Sequence, residues 1–348
     1  MLVTLNAGAP VSTVDAILAA ATAAGCESRT FDDGHGGTVV GIAGSVSVAG
    51  LPGVNSVMEK HRPYMLASRE GRPHAPTVVK VGGVRIGGRP VVIGGPCVIE
   101  SRDSLLEAAR AMKAGGADML RGGAFKPRTS PYAFQGLGEE GLHYLAEARE
   151  ESGLPVVTEA MEPDDVDLVA RYADMIQIGA RNMANFPLLR RAGQAGKPVL
   201  LKRGFSATVE EWLMSAEYVL AHGNPDVVLC ERGIRGFDTA TRFMLDLTAV
   251  PLVKELSHLP IIVDPSHGTG RRSLVARMAL AGLAAGADGL IIEAHPDPDS
   301  AMCDATQTIT PAEFASIVQS GRVLYAALLV GPETAFPQRD AASLMRQV

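Results

Sequence analysis

The chain is poor in aromatic residues, which make up 5% of its 348 positions, and it has only four cysteines, Cys26, Cys97, Cys230 and Cys303. They are far apart and form no CxxC pair, so a disulfide framework is excluded as the basis of the fold and a reducing compartment is expected. Uninterrupted apolar runs of membrane-spanning length are missing as well. The stretch "AILAAATAAGC" is only superficially like a secretory core: no Lys or Arg precedes Arg29, and Asp15 stands just before the apolar run. It reads as an amphipathic helix, and the chain as cytoplasmic. A positive balance is also lacking. The net charge of -6 argues against general affinity for nucleic acid or anionic membranes, so any anionic ligand needs a local basic pocket. What remains is 47% hydrophobic and 20% charged with 38 glycines, the make-up of a soluble α/β enzyme with a large core.

From residue 90 onward one unit recurs: a short apolar run, a glycine-rich or polar turn, then a helical pattern. The runs are "VVIGGP" (91–96), "ADMLRGG" (117–123), "PVVTEAM" (155–161), "MIQIGA" (175–180), "PVLLKRG" (198–204), "VVLCERG" (227–233), "PIIVDPSH" (260–267) and "GLIIEAH" (289–295). Helical stretches such as "RDSLLEAARAMKAGG" and "TVEEWLMSAEYVLAHG" separate them, several ending in glycine as helix C-termini prefer. Eight alternating units predict a closed (β/α)8 TIM barrel, with an open doubly wound sheet as the alternative. The first ~70 residues predict a small α+β unit: "MLVTLN" and "GTVVGIAG" as strands, a helix over "STVDAILAAATAAG" capped by Ser12 or Thr13, and a further strand near "VNSVMEKHRPYML". The expected organisation is 1–70 as this unit, 71–90 as a linker and hairpin under the barrel, 91–322 as the barrel and 323–348 as a tail.

In such a barrel, functional groups gather at the strand C-termini. The run ends carry Cys97, Arg121, Arg181, Lys202 with Arg203, Glu231 with Arg232, Asp264 with His267, and Glu293 with His295; the loop "FKPRTS" adds Lys126, Arg128 and Thr129. One cation at a strand end is ordinary solvated surface. Cations after four strands, converging on one mouth, repel unless an anion sits among them, and Arg and Lys suit phosphate and carboxylate. Strands seven, eight and one are neighbours in a closed barrel, so Cys97, His267, Glu293 and the following Asp304 can meet as a mixed site for Zn²⁺, Fe²⁺, Mn²⁺ or Co²⁺. Their spacing matches no short metal motif, and Cys97 as a small buried hydrophobe and His267 as a loop histidine stay open. "GHGGTVVG" lacks a following helix and makes a poor phosphate loop; "GTG" before "RRSLVARM" is a weak phosphate signal. Cys230 and Cys303 read as packing or surface residues.

Through "GGPCVIES", "RGGAFKPRTSPYAFQGLG", "QIGARNM", "LLKRGFSAT", "CERGIRGF", "VDPSHGTGRR" and "IIEAHPDPDSAMCDATQT", the chain resembles the 3-deoxy-D-arabino-heptulosonate 7-phosphate (DAHP) synthases, in the form bearing an N-terminal ferredoxin-like extension. The resemblance implies an aldol-like condensation of phosphoenolpyruvate with erythrose 4-phosphate, the first step of the shikimate pathway, dependent on one divalent metal ion. It implies metal ligation by Cys97, His267, Glu293 and Asp304, and phosphoenolpyruvate binding by Arg121, Lys126, Arg181, Lys202 and Arg232. Arg128 and Thr129 fall on the erythrose 4-phosphate side, with Lys126, or alternatively Asp304 or a metal-bound water, delivering a proton. A homotetramer or other homo-oligomer follows from the same resemblance. The rival is the sister enzyme making 3-deoxy-D-manno-octulosonate 8-phosphate from arabinose 5-phosphate, against which "KPRTSPY" discriminates. A barrel-derived binding protein without turnover is a third reading, and the complete ligand quartet speaks against it. After "GIAGS" only "VSVAG" and "LPGVNSV" precede the last strand of the extension, too few residues for a full helix. The second helix of the βαββαβ unit is therefore expected to be missing or reduced to a turn, which weakens the case for feedback inhibition by tyrosine or phenylalanine.

Overall fold

The computed structural model describes residues 1–32, 37–42, 44–48, 50–58, 62–71, 76–127, 132 and 134–330. Near the N-terminus, strands β1 (Leu2–Leu5), β2 (Ser28–Asp32), β3 (Thr38–Ile42) and β4 (Val54–Met58) form one sheet in the order β2-β3-β1-β4, with helix α1 (Val11–Ala23) against it. This is the strand order of a ferredoxin-like unit. Strand β2 is an element that the apolar patterning did not reveal. No helix lies between β3 and β4 among the described residues; Val48 is buried there and Val46 and Leu51 pack on the sheet's core, doing the covering that a second helix would do. The expected N-cap is corrected. α1 begins at Val11 after Pro10, and the Thr13 hydroxyl, instead of capping, donates to the Pro52 carbonyl at 2.8 Å across the unit.

Strands β5 (Val79–Val81) and β6 (Val84–Ile86) form the expected hairpin. The barrel follows: β7 (Val91–Gly95), β8 (Met119–Arg121), β9 (Val156–Glu159), β10 (Met175–Ile178), β11 (Val199–Lys202), β12 (Val227–Glu231), β13 (Ile261–Val263) and β14 (Gly289–Glu293) close in parallel, with β14 pairing β7. Around it run α2 (Arg102–Ala114), α3 (Glu139–Ser152), α4 (Asp165–Tyr172), α5 (Phe186–Gln194), α6 (Val209–Ala221), α7 (Ala249–Leu256), the short α8 (Pro265–Thr269), α9 (Arg272–Ala284) and α10 (Pro311–Val330), the last continuous through "VLYAALLV". Local chemistry sets several helix starts. Thr208 and Glu211 make a reciprocal capping box on α6, and Ser101 accepts the Ser104 N–H at the start of α2.

The strands sort their side chains with period two. Val92, Leu120, Val156, Ile176, Leu201, Leu229, Ile261 and Leu290 face outward into the layer shared with the helices. Val91, Ile93, Met119, Val157, Met175, Leu200, Val228, Cys230, Ile262 and Ile291 form a second cluster inside the barrel, and Val79, Val81 and Ile86 of the hairpin join it from below. One residue pair further along every strand but β7, where Gly95 follows Ile93, the inward position becomes polar or charged. That step is where the chemistry begins.

Candidate active site

Continuing the inward phase places Arg121 after Met119, Glu159 after Val157, Gln177 after Met175, Lys202 after Leu200, Arg232 after Cys230, Asp264 after Ile262 and Glu293 after Ile291. Arg121, Lys126, Arg181, Lys202 and Arg232 line one cavity at this end of the barrel, with Glu159, Gln177, Phe205 and His267. The strand-end cations thus do converge, with one exception. Arg203 has the outward phase of Leu201, and its Nη1 pairs with Glu231 Oε2 and Asp246 Oδ2, both at 2.9 Å, so this arginine and Glu231 brace the loop after β12 instead of facing the cavity. His295 also stays outside, bonded through Nδ1 to the Asp297 carbonyl at 2.7 Å. Arg128 and Thr129 lie outside the described residues.

Cys97, His267, Glu293 and Asp304 come together as expected: one ligand atom from each lies within 4.8 Å of all the others. Cys97 follows β7, His267 sits on α8, Glu293 ends β14, and Asp304 holds a left-handed backbone with φ 52° in the loop before α10. The Cys97 thiol donates to Asp304 Oδ2 at 3.1 Å, and His267 Nε2 stands 3.3 Å from Glu293 Oε1. A glycine makes the approach possible. A Cβ on Gly95, whose φ is +146°, would lie 2.2 Å from the Arg121 carbonyl oxygen, so only glycine lets β7 and β8 close here.

The cluster suits a divalent cation. Glu293 is fully buried, yet its Oε1 has no hydrogen-bond partner, while Gln307 Nε2 holds the other oxygen at 2.5 Å. Arg121 and His267 approach that oxygen only to 3.3 Å without hydrogen-bonding it, and a buried carboxylate oxygen left without a hydrogen bond is costly unless something positive fills the gap. One sulfur, one imidazole nitrogen and two carboxylates favour a borderline first-row metal ion. Asp264 supplies the outer support: its Oδ2 accepts from His267 Nδ1 at 2.8 Å and from Lys202 Nζ at 2.7 Å. With Nδ1 committed, Nε2 is left as the ligand atom. Burial lowers the His267 pKa, keeping the imidazole neutral as a ligand must be. Burial alone would raise Asp264, but His267 and Lys202 outweigh it and hold the carboxyl well below its usual range. Asp304 is likewise held low, by Lys126 and His267 against the effect of burial. The hydrogen bond with Cys303, then burial, push the Cys97 thiol well up, so metal binding must displace its proton. Cys303, read from the sequence as a packing or surface residue, is buried against Cys97 and Val98.

Lys126 joins the cluster to the cavity. Its Nζ donates to Cys97 Sγ and stands 3.0 Å from Asp304 Oδ2; burial pulls its pKa down, but Cys97, Glu293 and Asp304 prevail and the ammonium stays charged. Arg121 reaches Glu293 Oε1 at 3.3 Å with one nitrogen, leaving Nε and Nη1 buried without partners. Those donors point to an anion. Sequence reasoning missed Glu159, Gln177 and Gln307, as well as Arg242, whose Nη1 contacts Asp304 Oδ1 at 3.1 Å and Gln307 Oε1 at 3.0 Å. In the sequence Glu159 and Gln177 stand in runs buried on both faces, with nothing to mark the inward phase.

A (β/α)8 barrel with a metal-competent cluster beside a pocket of cations defines an enzyme class that handles anionic substrates. Residues 73–326 match the DAHP synthetase I family, and the chain belongs to it. It is 51% identical over 298 residues to the phospho-2-dehydro-3-deoxyheptonate aldolase of Thermotoga maritima, covering 84% of this chain and 88% of that protein. It is 34% identical over 256 residues to a 2-dehydro-3-deoxyphosphooctonate aldolase of Desulfatibacillum aliphaticivorans, covering 68% and 92%. The crystal structure of the Thermotoga maritima DAHP synthase superposes with a TM-score of 0.76 at 47% identity, over 94% of this chain and 97% of that one.

Proposed function

We propose that this enzyme condenses phosphoenolpyruvate with erythrose 4-phosphate to give 3-deoxy-D-arabino-heptulosonate 7-phosphate and phosphate, with one divalent ion held by Cys97, His267, Glu293 and Asp304. The observation that carries the reading is Lys126, which touches two of the cluster residues while lining the cavity of cations. Arg121, Lys126, Arg181, Lys202 and Arg232 hold phosphoenolpyruvate; Arg128 and Thr129 receive erythrose 4-phosphate. The bound ion, Mn²⁺, Fe²⁺, Zn²⁺ or Co²⁺, supplies Lewis acidity toward the aldehyde oxygen.

The residues of the chain do the rest. Two multiply charged substrates repel, and fixed cations offset that repulsion before they meet. C3 of phosphoenolpyruvate attacks the aldehyde carbon, water adds at C2, and the phosphohemiketal loses phosphate. Lys126 Nζ delivers a proton to the new hydroxyl, with Asp304 as the alternative group, a reading supported by its contacts with Cys97 and Asp304. The resemblance supports assembly as a homotetramer or other homo-oligomer, and a cytoplasmic location agrees with the absence, among the described residues, of any helix long and apolar enough to cross a membrane.

The test is phosphate release by metal-reconstituted protein given phosphoenolpyruvate with erythrose 4-phosphate or with arabinose 5-phosphate, each with and without EDTA. Chelator-sensitive turnover of erythrose 4-phosphate alone is expected. Preference for arabinose 5-phosphate transfers the assignment to the sister reaction, and turnover that survives EDTA removes the metal from it.

A further inference from the structure

Arg232 is 3% exposed, and no ion pair among the described residues includes it. Its one side-chain hydrogen bond among the described residues runs from Nη1 to the Gly233 carbonyl at 3.3 Å. Elsewhere in the site the buried cations each meet a carboxylate: Arg121 meets Glu293, Lys202 meets Asp264 and Lys126 meets Asp304. Arg232 instead meets two rings. Its guanidinium carbon lies 4.1 Å from the centroid of Phe243 and 4.9 Å from that of Phe205. The rings are nearly parallel, at 7° with centroids 5.1 Å apart. Other guanidinium groups approach the same pair: Arg181 at 5.4 Å and Arg235 at 5.6 Å over Phe205, and Arg242 at 5.7 Å over Phe243.

A ring face attracts a cation through its quadrupole without accepting its N–H bonds in the plane of the guanidinium. A carboxylate in the same place would consume those donors and cancel the charge that a ligand is meant to meet. Burial pulls the Arg232 pKa down to about 10, which still leaves it charged at neutral pH.

We propose that Phe205 and Phe243 are positioning residues of the phosphoenolpyruvate pocket: their faces hold Arg232, and at longer range Arg181, with donors uncommitted, so that the bound anion is the counter-ion these arginines lack. The inference rests on the assignment of this cavity to phosphoenolpyruvate. Phe205 lines it directly.

The experiment compares full-length wild type with Phe243→Leu, Phe205→Leu and Phe243→Tyr. Leucine keeps apolar bulk and removes the ring; tyrosine keeps the ring. Calorimetric titration with phosphoenolpyruvate, and with inorganic phosphate as a second probe, is paired with steady-state kinetics and metal content. Each leucine variant is expected to weaken phosphoenolpyruvate binding about 3- to 30-fold, raising its KM by a similar factor and lowering kcat less. Phe243→Tyr stays within about twofold of wild type. Leucine variants that bind as tightly as wild type, or a tyrosine variant that loses as much as leucine, overturn the proposal; should one leucine variant not fold, the other decides. Wild type that binds phosphoenolpyruvate more tightly than the leucine variants, but does not turn it over with erythrose 4-phosphate, leaves the aromatic hold standing and sinks the reaction. Wild type that binds neither probe overturns both.

Discussion

Cys97 and Cys230 are both buried in the barrel, yet they face different chemistry. Cys97 stands in the ligand cluster, whereas Cys230 belongs to the apolar cluster inside the barrel. Cys97→Ala is expected to weaken divalent-metal binding at least about 100-fold, since loss of a direct ligand should cost no less than loss of an outer-shell partner. Cys230→Ala should cost about 1 kcal/mol of stability and leave metal content unchanged, both read by elemental analysis and thermal melting. The acidic residues of the cluster predict a pH dependence. Asp264, Glu293 and Asp304 all have lowered pKa values, because His267, Arg121, Lys202 and Lys126 outweigh the opposing effect of burial. Below the ordinary carboxylate range the unfolded chain therefore binds more protons than the folded one. The stability these groups give is complete above that range and drains away as pH falls through their folded values. Glu231, raised by burial, works in the opposite direction. In EDTA, the wild-type Tm should drop steeply from about pH 5 to pH 3, and Asp264→Asn should flatten the slope; an unchanged slope in that variant refutes the account.

At the scale of elements, the strands show what patterning can and cannot reveal. All eight barrel strands were legible as short apolar runs, and the converging cations followed from where those runs stop. Their phase was not legible, because a parallel barrel buries both faces of each strand and no polar side marks the inward one. "VVLCE" is buried at every position. Lys202 and Arg203 therefore looked alike in the sequence, although one lines the cavity and the other braces Glu231 and Asp246. Asp304 was legible only as a carboxylate following strand eight, since a left-handed loop carries no periodicity to say where it points. Two substitutions probe this level. Gly95→Ala forces a Cβ onto the Arg121 carbonyl and is expected to cost more than about 2 kcal/mol while weakening phosphoenolpyruvate binding by displacing Arg121. Thr208→Ala breaks the capping box of α6, whose Thr208 and Glu211 do not line the cavity, and should cost about 1 kcal/mol with kcat retained. Denaturant melts and kinetics on both separate strain at the site from simple loss of helix stability.

On the scale of the whole molecule, the N-terminal unit and the barrel are tied by a few polar contacts. Glu217 on α6 accepts the Leu66 and Ala67 N–H groups at 2.8 Å each, Ser257 reaches the Ala67 carbonyl, and Arg29 donates to the Ala221 carbonyl at 3.2 Å. The absence of a second helix among the described residues was predictable from chain length alone, but its replacement by Val46, Val48 and Leu51 was not, because three apolar residues in an irregular segment have no pattern to read. Below the barrel, Ile86 is fully buried and packs with the barrel's interior cluster. Ile86→Ala is expected to cost about 2–5 kcal/mol, seen as a lower melting temperature. That hairpin has a further consequence. Side chains fill the barrel between this floor and the cavity, so a defect at the floor is felt as lost stability and not as a reshaped pocket.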